Sequence, residues 1–139
     1  MKGNKEQYSE ILVEFYERLT SWESAVVADR DISLAQMHLL EILGNHGALR
    51  MKELADKLGV TTGTLTVMVH RLVSKGYLEK EKDPMDKRSY FIKLTSRGRA
   101  EYDYHHHMHS HLIEEIMDAL GEESSKNFFS NLTIIQNLM

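Results

Sequence analysis

Residues Met51 to Thr95 read MKELADKLGVTTGTLTVMVHRLVSKGYLEKEKDPMDKRSYFIKLT, and no other part of the chain says as much about its architecture. Leu54, Leu58, Leu65, Val69 and Leu72 recur at helical spacing. Gly59 separates a helix over Met51–Leu58 from a second one, capped by Thr61 and running to Lys75. Gly76 suits the left-handed position that ends such a helix. Tyr77–Lys82 and Arg88–Leu94 then alternate as two strands around a turn at Asp83–Asp86, where Pro84 has no N–H to give to a ladder. Helix, turn, helix and a two-stranded ribbon with a charged tip make a winged helix-turn-helix. Its second helix has the form that enters a DNA major groove.

Outward from this segment the chain reads as helical. Ile11, Leu12, Phe15, Leu19, Trp22 and Val26 recur at three and four residues, predicting an amphipathic helix from Gln7 to about Ala28. A turn at Asp29–Ile32 leads to Ser33, the predicted N-cap of a helix through Leu43, which Asn45, His46 and Gly47 end. Thr95 begins a long helix to about Leu120; Gly121 stops it, and a last helix covers Glu122 to about Leu138. The fold class expected is mainly α with a small β-wing, in one domain over 1–139. Long terminal helices at about 5–30 and 96–139 flank the winged helix-turn-helix at about 33–95. Ile113, Ile116, Met117, Leu120, Phe128, Phe129, Leu132 and Ile135, with the first helix, form the apolar surface expected to pair with a second copy of the chain. A reader of two DNA half-sites needs such a homodimer.

Composition narrows the function. The 139 residues hold no cysteine, which removes disulfides, thiolate ligands and thiol-based redox sensing. No apolar run approaches the ~20 residues that span a bilayer, and the polar start MKGNKEQYSE is not a signal peptide, so a cytoplasmic protein with no membrane partner is expected. The net charge of −4 hides a division. Residues 50–99 carry 12 Lys/Arg against 6 Asp/Glu, whereas the remainder carries 5 against 15. A basic centre between acidic flanks concentrates phosphate attraction where the helix-turn-helix lies.

Within the fourth helix, Leu65, Met68, Val69 and Leu72 are the expected core face. Thr62, Thr66 and His70 line up away from it, with Gly63 and Val67 beside them. Short hydroxyl side chains near a helix N-terminus suit phosphates and base edges, and a glycine lets backbone approach the groove. The expected DNA contacts are Thr61, Thr62, Thr64, Thr66, His70 and Arg71 on this helix, with Lys75 further along toward phosphate, and Lys87 and Arg88 on the wing. Thr61 reads equally as a cap alone, and His70 as an ordinary surface histidine. Asp86, two residues before Arg88, is placed to hold the guanidinium extended toward a narrow minor groove.

The order of elements, Asp86-Lys87-Arg88 and the following Lys93-Leu94-Thr95 resemble the MarR family of winged-helix regulators along essentially the whole chain. The resemblance implies an obligate dimer, a pseudo-palindromic double-stranded DNA site, recognition helices in successive major grooves and wings in the minor groove.

One motif lies outside that frame. Residues 104–112 read YHHHMHSHL, placing five of the eight histidines inside a predicted helix. His105 and His109 are one turn apart, as are His107 and His111, so each pair shares a face. Neutral imidazoles at that spacing suit zinc, and two alone bind it weakly. The cluster resembles the zinc-sensing AdcR/ZitR-type branch of the family, which carries a His-rich run about ten residues after the wing's Leu-Thr. That resemblance carries four metal ligands onto Glu23, His38, His105 and His109. It implies a zinc-dependent repressor of metal-uptake genes. The branch's second site has no counterpart, since there is no cysteine and Met37 and Tyr104 stand where carboxylates would be. The residues themselves also allow His38 as a hydrogen-bonded core histidine and the cluster as an exposed polar face. The alternative regulator is then a MarR-type repressor released by a small organic or aromatic ligand. An enzyme is not expected: no H-E-x-x-H and no general base beside an open metal position can be found.

Overall fold

The computed structural model describes residues 2–139. Its elements are α1 (Lys2–Val27), α2 (Leu34–His46), β1 (Leu49–Arg50), α3 (Met51–Leu58), α4 (Thr62–Ser74), β2 (Leu78–Lys82), β3 (Tyr90–Leu94), α5 (Ser96–Leu120) and α6 (Glu122–Gln136). The chain divides into two compact units, one ending at Tyr102 and the other Asp103–Met139, so the division falls within α5. Among the described residues no helix is long and apolar enough to cross a membrane.

Local signals set most boundaries of the first unit. Ser33 accepts from the Gln36 N–H at 3.1 Å while the Gln36 side chain accepts from the Ser33 N–H at 3.0 Å. This reciprocal pair satisfies two N–H groups that no helical carbonyl can reach. Gly59 ends α3 at φ +73°, a left-handed conformation that favours glycine, and its N–H returns to the Ala55 carbonyl. Thr61 caps α4, accepting from the Thr64 N–H at 3.2 Å. The helix α2 runs three residues beyond the predicted Leu43, until Gly47 stops it.

The core of this unit gathers Leu39, Leu40 and Leu43 of α2, Leu54 of α3, Leu65, Val69 and Leu72 of α4, and Ile92 of β3, all essentially inaccessible to water. Helix α3 therefore packs between α2 and α4, and the sheet closes the side. The expected two-stranded ribbon is corrected here. The sheet has three antiparallel strands in the order β1-β3-β2, because Leu49 pairs with Ile92 and Arg50 with Phe91. A two-residue strand is too short to show a period, and burial of Leu49 is what holds it against β3.

The entry to α5 is tightly fitted. Thr95 accepts from the Gly98 N–H at 3.1 Å and donates to the Gly76 carbonyl at 2.6 Å. Gly98 lies directly against the Tyr77 carbonyl, where a β-carbon would collide. Gly44 of α2 likewise sits under the Tyr102 ring, whose hydroxyl donates to Asn45 Oδ1 at 2.6 Å. In the second unit, Gly121 breaks α5 from α6 at φ +81°, and the Phe128 and Phe129 rings meet edge to face at 5.1 Å.

Candidate nucleic-acid interface and metal ligands

Helix α4 buries Leu65, Val69 and Leu72 and leaves Thr62, Gly63, Thr64, Thr66, Val67, His70 and Arg71 exposed. With ~100° between successive residues, Gly63 and Val67 lie most directly opposite the buried row, with His70 and Arg71 to either side of them and Thr66 and Thr62 nearer its edge. Two of the hydroxyls are already engaged. Thr66 donates to the Thr62 carbonyl at 2.7 Å, leaving its hydroxyl only lone pairs to offer. Thr61 donates to the Thr64 hydroxyl at 3.1 Å in addition to capping the helix. Val67, which the sequence placed beside Gly63 on this outward face, is 52% exposed. Lys75 does not extend from α4 as a cation free for phosphate, because its ammonium donates to the Asp31 carbonyl at 2.8 Å.

The wing sorts its charges by the pleat. Glu79 and Glu81 share a face with Lys93, which approaches them at 3.4 and 3.1 Å. The hydrogen bond to Glu81 and its charge, with Glu79 adding, raise the Lys93 ammonium above the usual lysine range. Lys80 and Lys82 lie on the other face, and with Lys87 and Arg88 they are exposed. Arg88 stands 93% exposed, with its Nε 3.6 Å from Asp86, and its N–H donates to the same carboxylate at 3.0 Å.

A second carboxylate organises the tip. Asp83 is 2% exposed, accepts from the Met85 N–H at 2.9 Å and accepts from Arg50 of β1 at 2.6 Å. These two bonds, the Met85 one first, hold the Asp83 carboxyl below the usual range; the Arg50 guanidinium is correspondingly raised. Arg50 also stacks over the Phe91 ring at 5.1 Å. Nothing in the sequence marked Arg50, because its partner lies 33 residues away.

The four expected metal ligands fall in two pairs, one in each unit. In the first, His38 Nε2 of α2 lies 3.9 Å from Glu23 Oε2 of α1, too long for a hydrogen bond. In the second, His105 and His109 share α5, and their Nε2 atoms are 2.9 Å apart, one donating its proton to the other. His106 and His107 are exposed, and His111 turns its Nε2 toward Glu115 at 3.4 Å.

The chain matches the MarR family model over residues 32–90, the span from the end of the first turn to the wing. The transcriptional regulator Tm0710 of Thermotoga maritima shares 30% identity across 96% of this chain and 94% of that one, with a TM-score of 0.68. The chain belongs to the MarR family. The MarR protein of Escherichia coli, a multiple antibiotic resistance protein, is 32% identical over 74% of this chain and 64% of its own length. The match therefore spans less than two thirds of that curated MarR relative. FabT of Streptococcus pneumoniae, solved in complex with DNA, superposes with a TM-score of 0.90 at 26% identity, covering 96% of each chain. A MarR chain of this architecture is a transcriptional regulator and not an enzyme.

Proposed function

We propose that this MarR-family DNA-binding regulator binds a pseudo-palindromic duplex as a homodimer and that zinc controls its affinity. MarR-family regulators bind DNA as dimers. The reading of α4 as the major-groove helix and of Lys87 and Arg88 as wing contacts is supported by their common exposure on the basic central segment of the chain. Lysines and arginines that neutralise phosphates make such binding fall steeply with salt. The exposed Arg88, braced by Asp86, is suited to the narrow minor groove.

The observation that carries the metal part is the His105–His109 pair. Two ligand atoms on one tetrahedral zinc at ~2.0–2.2 Å stand about 3.3 Å apart. The 2.9 Å between the two Nε2 atoms and the 3.9 Å between Glu23 and His38 lie on either side of that value. Three imidazole nitrogens and one carboxylate are also a donor set that zinc accepts. Glu23, His38, His105 and His109 are the proposed ligands of the ion. Metal alters DNA affinity only if it binds the DNA-competent and DNA-incompetent conformations unequally, and DNA then tightens zinc by the same factor. The regulator represses metal-uptake genes when zinc is plentiful.

The test is a titration of duplex DNA at one fixed salt concentration, with and without zinc, on wild type, His109→Ala and His107→Ala. Zinc affinity and zinc-dependent DNA binding should fall together in His109→Ala, beyond the ~10–100-fold typical of losing a mere supporting partner. His107→Ala should stay near wild type. Equal behaviour of the two variants would sink the ligand set. A wild-type response to a small aromatic acid but not to zinc would assign the chain to ligand-released repression instead.

A further inference from the structure

The outward face of α4 has a chemical bias that bears on which bases it reads. From Thr62 to Val69 it offers no Arg, Lys, Asn or Gln, the side chains that make paired hydrogen bonds to guanine or adenine edges. His70 and Arg71 come only in the second half of the helix, past the N-terminal residues that usually reach base edges. What the first half presents is Gly63, a branched aliphatic side chain and hydroxyls partly turned inward. The Thr66 hydroxyl donates to the Thr62 carbonyl at 2.7 Å, so it has no proton for a base. Val67 stands 52% exposed, opposite the buried row of Leu65 and Leu72. A lone exposed valine is ordinary on most surfaces. At the centre of a groove-facing helix, beside a glycine that lets the backbone come close, it meets the one apolar group the major groove displays.

We infer that Val67 recognises the C5-methyl of thymine, so that the preferred half-sites carry T·A pairs beneath the start of α4. This rests on the reading of α4 as the major-groove helix. Removing a thymine methyl takes away one contact with Val67 and leaves every hydrogen-bonding group of the base pair in place. The wing is indifferent to that change, because the minor groove and phosphates are the same with or without the methyl.

The experiment compares duplexes of alternating dA and dT with duplexes of alternating dA and dU, each long enough for both half-sites, at one stated salt concentration. Wild type should bind the thymine duplex more tightly by about fourfold for each buried methyl, or about fifteenfold for one methyl in each half-site. Val67→Ala, whose side chain is outside the core, should bind the two duplexes equally and melt at the wild-type temperature. Equal wild-type affinity for both duplexes overturns methyl recognition while leaving DNA binding intact. Full discrimination retained by Val67→Ala overturns the assignment to this residue. Salt-sensitive binding to neither duplex overturns the DNA reading itself and this inference with it.

Discussion

Asp83 gathers more of the wing's organisation than any other single residue. Its carboxylate takes the Met85 N–H and the Arg50 guanidinium, and Met85 is thereby mounted 90% exposed at the tip. Both hydrogen bonds are stronger to the charged form, so the folded-state pKa is lowered. The sign follows from linkage. The stabilisation is complete above the unfolded value of ~3.9 and is lost as pH falls through the lowered folded value. The Met85 amide resonance should accordingly stay constant from neutral pH down to ~4 and move only at more acid pH. A shift already well advanced above that point would contradict the assignment. Asp83→Ala should speed hydrogen exchange at the Met85 amide and weaken DNA binding, since the tip loses its internal anchor and Arg50 its partner.

Elements here owe their limits to a few positions each. Helix α2 carries His38 and most of the α2 contribution to the core, and its start depends on the Ser33–Gln36 capping box. Ser33→Ala should cost ~1 kcal/mol of stability, read as a lowered denaturation midpoint with an unchanged denaturant slope. Gly98 at the start of α5 is constrained by fit and not by handedness. A methyl group there meets the Tyr77 carbonyl, which is itself held by the Thr95 N–H at 3.1 Å. Neither backbone segment can yield without breaking that bond. Gly98→Ala should therefore destabilise by ~1–3 kcal/mol, as overpacking does, and a neutral result in thermal melts would show that the entry to α5 is free to adjust.

Association of whole chains has its own sequence record. Tyr8, Ile11, Leu12, Phe15 and Tyr16 form a three-and-four-spaced row on α1, each well exposed. In the second unit Ile113, Met117, Leu120 and Ile135 are exposed as expected of a pairing surface, while Ile116, Phe128, Phe129 and Leu132 are half-buried. So much apolar surface in ordered rows is what a second copy covers. Ile11→Asp with Phe15→Asp should turn the dimer into a monomer in sedimentation while leaving the melting of the helix-turn-helix core recognisable. The monomer should bind a two-half-site duplex far more weakly than wild type. A stable dimer in that double variant would place the interface away from α1.

What was legible in advance is what depends on neighbours in the chain. The limits of α3, the caps at Ser33 and Thr61, and the left-handed Gly76 at φ +84° all follow from hydrogen bonds and sterics within a few residues. The leucine spacing likewise set the buried side of α4, and His105 and His109 could meet because one helical turn separates them. The strand Leu49–Arg50, the Arg50–Asp83 bond and the turning of Lys75 to Asp31 were not legible. Each joins residues far apart in the chain, and such a pairing leaves no periodic mark on either partner. Sequence alone therefore determined the elements and the kinds of side chain they carry. Only the tertiary structure decided which of those side chains are engaged inside the protein, as Arg50 and Lys75 are, and which remain outward for a partner. The physical reason is that a hydrogen bond or a buried contact needs two groups within a few ångströms, and that proximity comes from packing and not from order along the chain.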